Sequence, residues 1–331
     1  MSELRGVPDA YRGVAGPIDE LGVFRLMAKA RALEERLIKM SKSSDGYFWI
    51  GGPGEEAFNV PLGLLVRKGF GPDHDYLHLH YRSSAIVLAM GGSIIDFVRQ
   101  MANRATDPFT GGRNFINHVC RYDWNIVPAT SPIEVQYSIA PGTALVQRRH
   151  GGQGITIVNG GDAGSAEGDF ATCLNWSSRP GRELPILILV TNNKWGISTP
   201  AEQVQGCRYI AQRGEPFGIR WDFINGNDPV SVWSSLSEVF AYVRKERKPF
   251  VLEATTSRLH GHSSSSGAAR IESEPDCLLR FEAKLIEQGK LTADEAETIK
   301  AEYAQEALDA RNQAVQEPEP SPDSIHDHTF A

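Results

Sequence analysis

Asp162 and Asn193 stand 31 residues apart, each at the end of an apolar, β-branched run. A carboxylate, an amide oxygen and a backbone carbonyl are hard oxygen ligands. They suit Mg²⁺ or Ca²⁺, with water and ligand phosphates completing the shell. The turn around Asp162 reads Gly160-Gly161-Asp162-Ala163-Gly164, which lets the backbone approach a diphosphate, and a following helix N-terminus favours its charge. Two further stretches carry groups suited to anions or protons: His78-Leu79-His80-Tyr81-Arg82 and Ser257-Arg258-Leu259-His260-Gly261-His262-Ser263. Arg meets phosphate with forked donors, and an unperturbed His titrates near neutrality. His78-x-His80 is also conceivable as a metal pair, but no third ligand of that kind is near it in sequence. The chain has no Gly-Lys-Ser/Thr, so no Walker A loop, and Ala163 interrupts a G-x-G-x-x-G fingerprint.

The elements that must position these groups form a strand, Gly-rich turn, helix, strand unit. Residues 155–158 read as a strand. A helical pattern follows from Asp169, with Phe170, Cys173 and Leu174 on one face and Glu167 and Asp169 at its start, where the helix dipole favours acids. Arg179-Pro180-Gly181 ends it. Residues 186–190 are apolar on both faces, as in a strand inside a parallel sheet. Ligands bind beyond the carboxyl ends of such strands, where both turns lie.

Around this unit the pattern predicts an N-terminal arm over 1–19, then a helix over 20–43 capped by Asp19. A Gly/Pro turn at 51–57 leads into another helix. A helix over 84–105, a loop at 107–113 and a helix over 138–149 come next. Residues 199–216 are polar without a period and predict a mobile loop. A strand at 217–224, a turn at 225–228 capping a helix over 229–246, and a buried strand at 249–254 follow. Residues 275–312 read as two charged amphipathic helices joined near Gly289. The tail, 316–331, is Pro-rich and acidic, extended rather than packed, with His326 and His328 solvated.

Composition sets the outer bounds. The 331 residues are 41% hydrophobic and 23% charged, enough chain for a large core. A net charge of −7 without a basic cluster argues against nucleic acid. No apolar run approaches a membrane span, and the N-terminus lacks an apolar secretory core. Cys120, Cys173, Cys207 and Cys277 are scattered and read as reduced thiols in a cytoplasmic protein.

The unit at 155–197 resembles the thiamine diphosphate motif, which opens Gly-Asp-Gly and closes with paired Asn; here the residues are Gly161-Asp162-Ala163 and Asn192-Asn193. Three other segments resemble, in order, the alpha subunits of 2-oxo acid dehydrogenases: the opening helix with MAKARALEERLIKM, the Tyr81-Arg82 pair, and Arg258-Leu259-His260-Gly261-His262-Ser263. Thr130-Ser131-Pro132-Ile133 is closer to the branched-chain form than to the pyruvate form. The resemblance covers about residues 20 to 315. It implies an α/β thiamine diphosphate-binding fold, a mostly parallel central sheet with helices on both faces. It implies a cofactor site in which Asp162, Asn193 and the Trp195 carbonyl hold Mg²⁺, with Gly161, Ala163 and Gly164 alongside. Tyr81, Arg82, Arg258 and His262 would hold the diphosphate, Ser131 and Ile133 would meet the aminopyrimidine, and His260 and His262 would lie at the reacting centre. Decarboxylation of a 2-oxo acid and acyl transfer to the lipoyl group of a dihydrolipoyl acyltransferase would follow. The family's aminopyrimidine Glu comes from a beta subunit, which implies a heterotetramer of two alpha and two beta chains.

The sequence departs from the family at Ala163 and Thr191, and at Val135, where a potassium-binding Thr is usual. It also departs at Ser265-Ser266-Gly267, where Asp residues usually follow the phosphorylatable Ser, here Ser263. A pyruvate or acetoin dehydrogenase subunit, and a catalytically silent cofactor-binding subunit, are the alternatives.

Overall fold

A computed structural model describes residues 4–327. The helices are α1 (Glu20–Ser41), α2 (Glu56–Leu65), α3 (Ser84–Ala89), α4 (Ile94–Met101), α5 (Val135–Arg149), α6 (Gly168–Ser177), α7 (Pro229–Glu246), α8 (Cys277–Glu287) and α9 (Ala293–Ala314). The strands are β1 (Tyr76–His78), β2 (Ile126–Val127), β3 (Thr156–Gly161), β4 (Ile186–Asn192), β5 (Arg220–Asn225) and β6 (Phe250–Thr255). They form one sheet in the order β2-β1-β3-β4-β6-β5, and every pairing is parallel.

Side chains alternate across a strand, and here the alternation sorts the core into two layers. Ile157 of β3, Leu187 and Leu189 of β4, and Phe250, Leu252 and Ala254 of β6 face the larger layer, with α1–α4, α7 and α8. Val158, Ile186, Ile188, Val190 and Val251 face the other, with Tyr137 and Ala140 of α5 and Phe170, Cys173 and Leu174 of α6. Both faces of the sheet are thus covered by helices, which is why the central strands read as unbroken apolar runs.

The strand order reverses between β1 and β3. The chain goes from β1 outward to β2, then returns across β1 to β3. Adjacent loops part in opposite directions there and leave a crevice at the carboxyl ends. The loop after β1 carries Tyr81 and Arg82; the loop after β3 carries Asp162.

Several expected elements are altered. The helix over 84–105 is two helices, because Gly91 takes φ +101° and the Gly91 and Gly92 amides close back on the Leu88 and Val87 carbonyls, a helix stop open to glycine. The helix expected from 138 begins at Val135, and the strand expected from 217 begins at Arg220, after Gly218 at φ +67°. Residues 199–216 are not a free loop: they hold 3-10 turns at Ala201–Gln203 and Ile210–Phe217, with Ile210 and Ala211 buried. The Ala211 amide donates to the Glu253 carboxylate.

The tail is packed rather than extended. Arg99 makes two 2.7 Å bonds to Glu317, the Ala105 amide donates to the Pro318 carbonyl, and Arg113 donates to that of Ser324. His328 lies outside the described residues. The N-terminal arm lies on β5 and α7: the Gly6 amide donates to Asp222, the Tyr11 hydroxyl bonds Glu246, and Leu4, Val7 and Tyr11 are buried.

Local chemistry explains the sharp helix starts. Asp19, Asp228, Asp276 and Thr292 accept from first-turn amides, meeting donors that no helix can satisfy internally. A buried ion network closes one flank: Arg31 bonds Glu56 at 2.7 Å and Asp276 at 2.7 Å, and Arg270 bonds Asp276 at 2.8 Å. The four cysteines are free thiols.

Candidate cofactor site

Asp162 sits at the mouth of the crevice, 2% exposed. Its main chain is held from both sides: Ser165 Oγ and Gln205 Nε2 each donate to its carbonyl at 2.6 Å. Its carboxylate accepts from the Asp162 and Ala163 backbone amides, but Oδ2 is buried without a partner. Burial pushes its pKa up to about 6, although the Asp162 and Ala163 amides, then Arg82 and Arg258, oppose the shift. A buried acid oxygen without a donor is costly, and a cation would relieve it.

Asn193 is also buried; its Oδ1 accepts from the Trp195 amide at 3.2 Å. Lys194 between them takes φ +67°, which makes the tight turn after β4. The Trp195 ring is partly exposed, and Arg258 lies over it, 5.8 Å from its centre, donating to the Gly196 carbonyl at 2.6 Å. Among the described residues no three His, Cys, Asp or Glu side chains gather into a metal cage. Asp162 and Asn193 can therefore supply only part of a shell, as a Mg²⁺ bound largely through ligand phosphates requires.

The opposite wall is cationic. Arg82 is 3% exposed and is fixed by the Gly51 carbonyl and by His262, whose Nδ1 accepts from Nη2 at 3.1 Å. The Tyr81 ring meets the His262 ring edge-on at 5.8 Å and lies 5.4 Å from the guanidinium. Burial and the two guanidinium groups, Arg82 then Arg258, lower the His262 pKa to about 4. His262 is therefore neutral at pH 7 and does not titrate near neutrality. An arginine only donates, so the ring proton is on Nε2.

Not every expected residue joins this cluster. His260 contacts the Ala268 carbonyl and the edge of Trp49. His78 bonds Thr143, while His80 packs on Tyr81, so the two do not form a metal pair. Ile133 is 51% exposed on the rim, with Ser131 exposed beside it. Ser263 is buried, and its amide donates to Ser266 Oγ. Ala163 stands at the approach of Gly196, where a Cβ would be 3.2 Å away.

Two carboxyl groups of the site were missed by the sequence reading. Glu55, within the Gly/Pro turn at 51–57, is 1% exposed and lies 3.9 Å from Arg82 Nε beside Asn193; burial pushes its pKa up to about 7. Glu134 is 3% exposed and accepts from the Gly161 amide at 2.9 Å; burial pushes its pKa up to about 8. The available signal was weak: an acid set among Gly or apolar residues, as in Gly54-Glu55-Glu56-Ala57 and Ile133-Glu134-Val135.

Known proteins resemble the chain along nearly its whole length. It is 30% identical to the 2-oxoisovalerate dehydrogenase subunit alpha of Bacillus subtilis, over 95% of this chain and 96% of that one. It is 25% identical to the pyruvate dehydrogenase E1 component subunit alpha of Rhizobium meliloti, over 93% and 89%. The mouse mitochondrial 2-oxoisovalerate dehydrogenase subunit alpha is 23% identical over 94% of this chain and 70% of that one. The family described as "Dehydrogenase E1 component" matches residues 24–323, and the chain belongs to it.

Proposed function

We propose that this chain is the alpha subunit of a branched-chain-type 2-oxo acid dehydrogenase, binding thiamine diphosphate through Mg²⁺. The observation that carries the reading is the buried, unpartnered Oδ2 of Asp162, with Arg82 and Arg258 close to its carboxylate, at the β1/β3 crevice. A cation bound to phosphates fits between an acid wall and a guanidinium wall. The relatives support the acid class: the 30% match is a 2-oxoisovalerate enzyme, the 25% match a pyruvate enzyme.

In this reading Asp162, Asn193 and the Trp195 carbonyl hold Mg²⁺. Tyr81, Arg82, Arg258 and His262 hold the diphosphate, His262 through its Nε2 proton. Ser131 and Ile133 support the aminopyrimidine, and Gly161, Ala163 and Gly164 line its approach. When bound, the cofactor supplies a thiazolium carbon that accepts the electron pair released as a 2-oxo acid loses carbon dioxide. The chain's own work is electrostatic and positional: it neutralises diphosphate charge on fixed guanidinium groups and excludes water from the crevice. Ile133, Trp195 and Ile197 are exposed apolar side chains, suited to cover by a beta subunit that supplies the remaining glutamate. The acyl group then passes to a lipoyl-bearing acyltransferase.

The test is the chain co-expressed with a candidate beta subunit, given thiamine diphosphate and Mg²⁺, with a panel of 2-oxo acids and an artificial electron acceptor. Preference for 2-oxoisovalerate and its branched relatives is expected. Preference for pyruvate would reverse the assignment.

A further inference from the structure

Glu134 is an anomaly among the residues around the crevice. It occupies the N-cap position of α5 with φ +60° and ψ 10°, a left-handed conformation that a non-glycine residue adopts at a cost. Its side chain does not cap its own helix. It turns inward instead, into space cleared by Gly160 and Gly164: a Cβ at either position would collide with its carboxyl end. Part of the Gly-rich turn thus makes room for a glutamate rather than for a phosphate.

In that space Oε1 accepts from the Gly161 amide at 2.9 Å, and Oε2 accepts from Gln136 Nε2 at 3.0 Å. Gln136 Nε2 also reaches the Asn159 carbonyl at 3.1 Å. His80 Nε2 is 3.9 Å from Oε1. A strained backbone and a buried acid are two local costs at one residue. Their common result is a clamp from the start of α5 onto Asn159 and Gly161 at the end of β3. Gly161 is the residue before Asp162, and Ile133 the residue before Glu134.

We infer that Glu134 is a positioning residue for the cofactor. Its carboxyl ties the Gly161 amide to the start of α5, and so fixes the Asp162 ligand and the Ile133 support at one separation. This rests on the function proposed above only for the identity of the ligand; the clamp itself is a property of the free chain. A bidentate ligand pocket built from two separately mobile loops would bind more weakly, because both would have to be ordered on binding.

The experiment uses the full chain with its beta subunit and the variants Glu134→Ala and Glu134→Gln. Thiamine diphosphate Kd in Mg²⁺ is measured by calorimetry, and exchange of the Gly161 amide is measured without ligand. Loss of an outer support of this kind raises Kd by about tenfold or more, so E134A should show that rise together with faster Gly161 exchange. E134Q keeps an oxygen for the Gly161 amide and should stay within about threefold of the parent, the worth of less than one net hydrogen bond. E134A that is folded, with parent-like Gly161 exchange and Kd, overturns the inference. Equal Kd losses in E134A and E134Q overturn it too, since Gln preserves the Gly161 contact. A parent complex that binds no thiamine diphosphate refutes the functional proposal instead; Gly161 exchange in E134A then decides the clamp alone.

Discussion

Arg82 donates to Nδ1 of His262 across 180 residues of chain, at 3.1 Å. That bond sets the tautomer of the imidazole, while burial, Arg82 and Arg258 together keep it neutral. An NMR titration of His262 in the ligand-free protein should give a midpoint near 4 rather than the ordinary 6.5. Arg82→Met removes one of the two repelling guanidinium groups and should move the midpoint upward. A midpoint near 6.5 in the parent would show that the ring is solvated.

Asp162 should separate stability from binding. Its Oδ2 has no partner, so Asp162→Asn removes a buried charge and raises stability on the order of 1 kcal/mol in the ligand-free state. The same change, and Asp162→Ala, should abolish Mg²⁺-dependent binding of thiamine diphosphate. Melting curves and calorimetry read the two effects. Unchanged binding in Asp162→Ala would sink the metal assignment.

The Glu134 carboxyl gives the ligand-free chain a pH dependence with a definite sign. Its folded pKa of about 8 is raised from 4.5, so the native state holds a proton that the unfolded chain has released within that window. Stability from this group is therefore lost as pH rises through the window. Glu134→Gln does not titrate, so its Tm relative to the parent should rise between about pH 5 and about pH 8. A constant difference would place the carboxyl in contact with water.

The buried Asp276 cluster should be the costliest point to break on the helical flank. Asp276 caps α8 and pairs with Arg31 and Arg270. Asp276→Ala leaves Arg31 buried and short of a partner, at about 3–5 kcal/mol. Urea unfolding measures it; a loss below about 1 kcal/mol would mean the pair is solvated.

The tail contact is weaker. Glu317 takes two bonds from Arg99 and one from Thr106. Glu317→Gln should cost about 1 kcal/mol in urea unfolding, the scale of a partly exposed charged pair. No change would show that residues 316–327 do not hold the 104–113 loop.

Much of the fold was legible because its causes are local. The helix over 229–246 follows from Asp228 as cap and Pro229 at the first turn, and Gly289 at φ +66° separates the two C-terminal helices as expected. The apolar runs of β3, β4 and β6 identified the buried sheet. The Gly91-Gly92 stop is local, but the other misjudged stretches needed distant partners: Ala211 is anchored by Glu253, and Glu317 by Arg99.

The site divides in the same way. Residue order alone made Asp162 and Asn193 candidates, since turns at strand ends are local facts; Tyr81, Arg82 and Arg258 became candidates through the family resemblance. Only the tertiary structure decided that His262 meets Arg82 while His260 goes to Trp49 and Ala268, and that Glu55 and Glu134 lie inside the site. It alone also decided that the glycines at 160 and 164 accommodate a glutamate side chain. The reason is physical: a carboxyl's pKa and partners depend on which atoms exclude water around it, and those atoms come from chain segments that meet only in the folded protein.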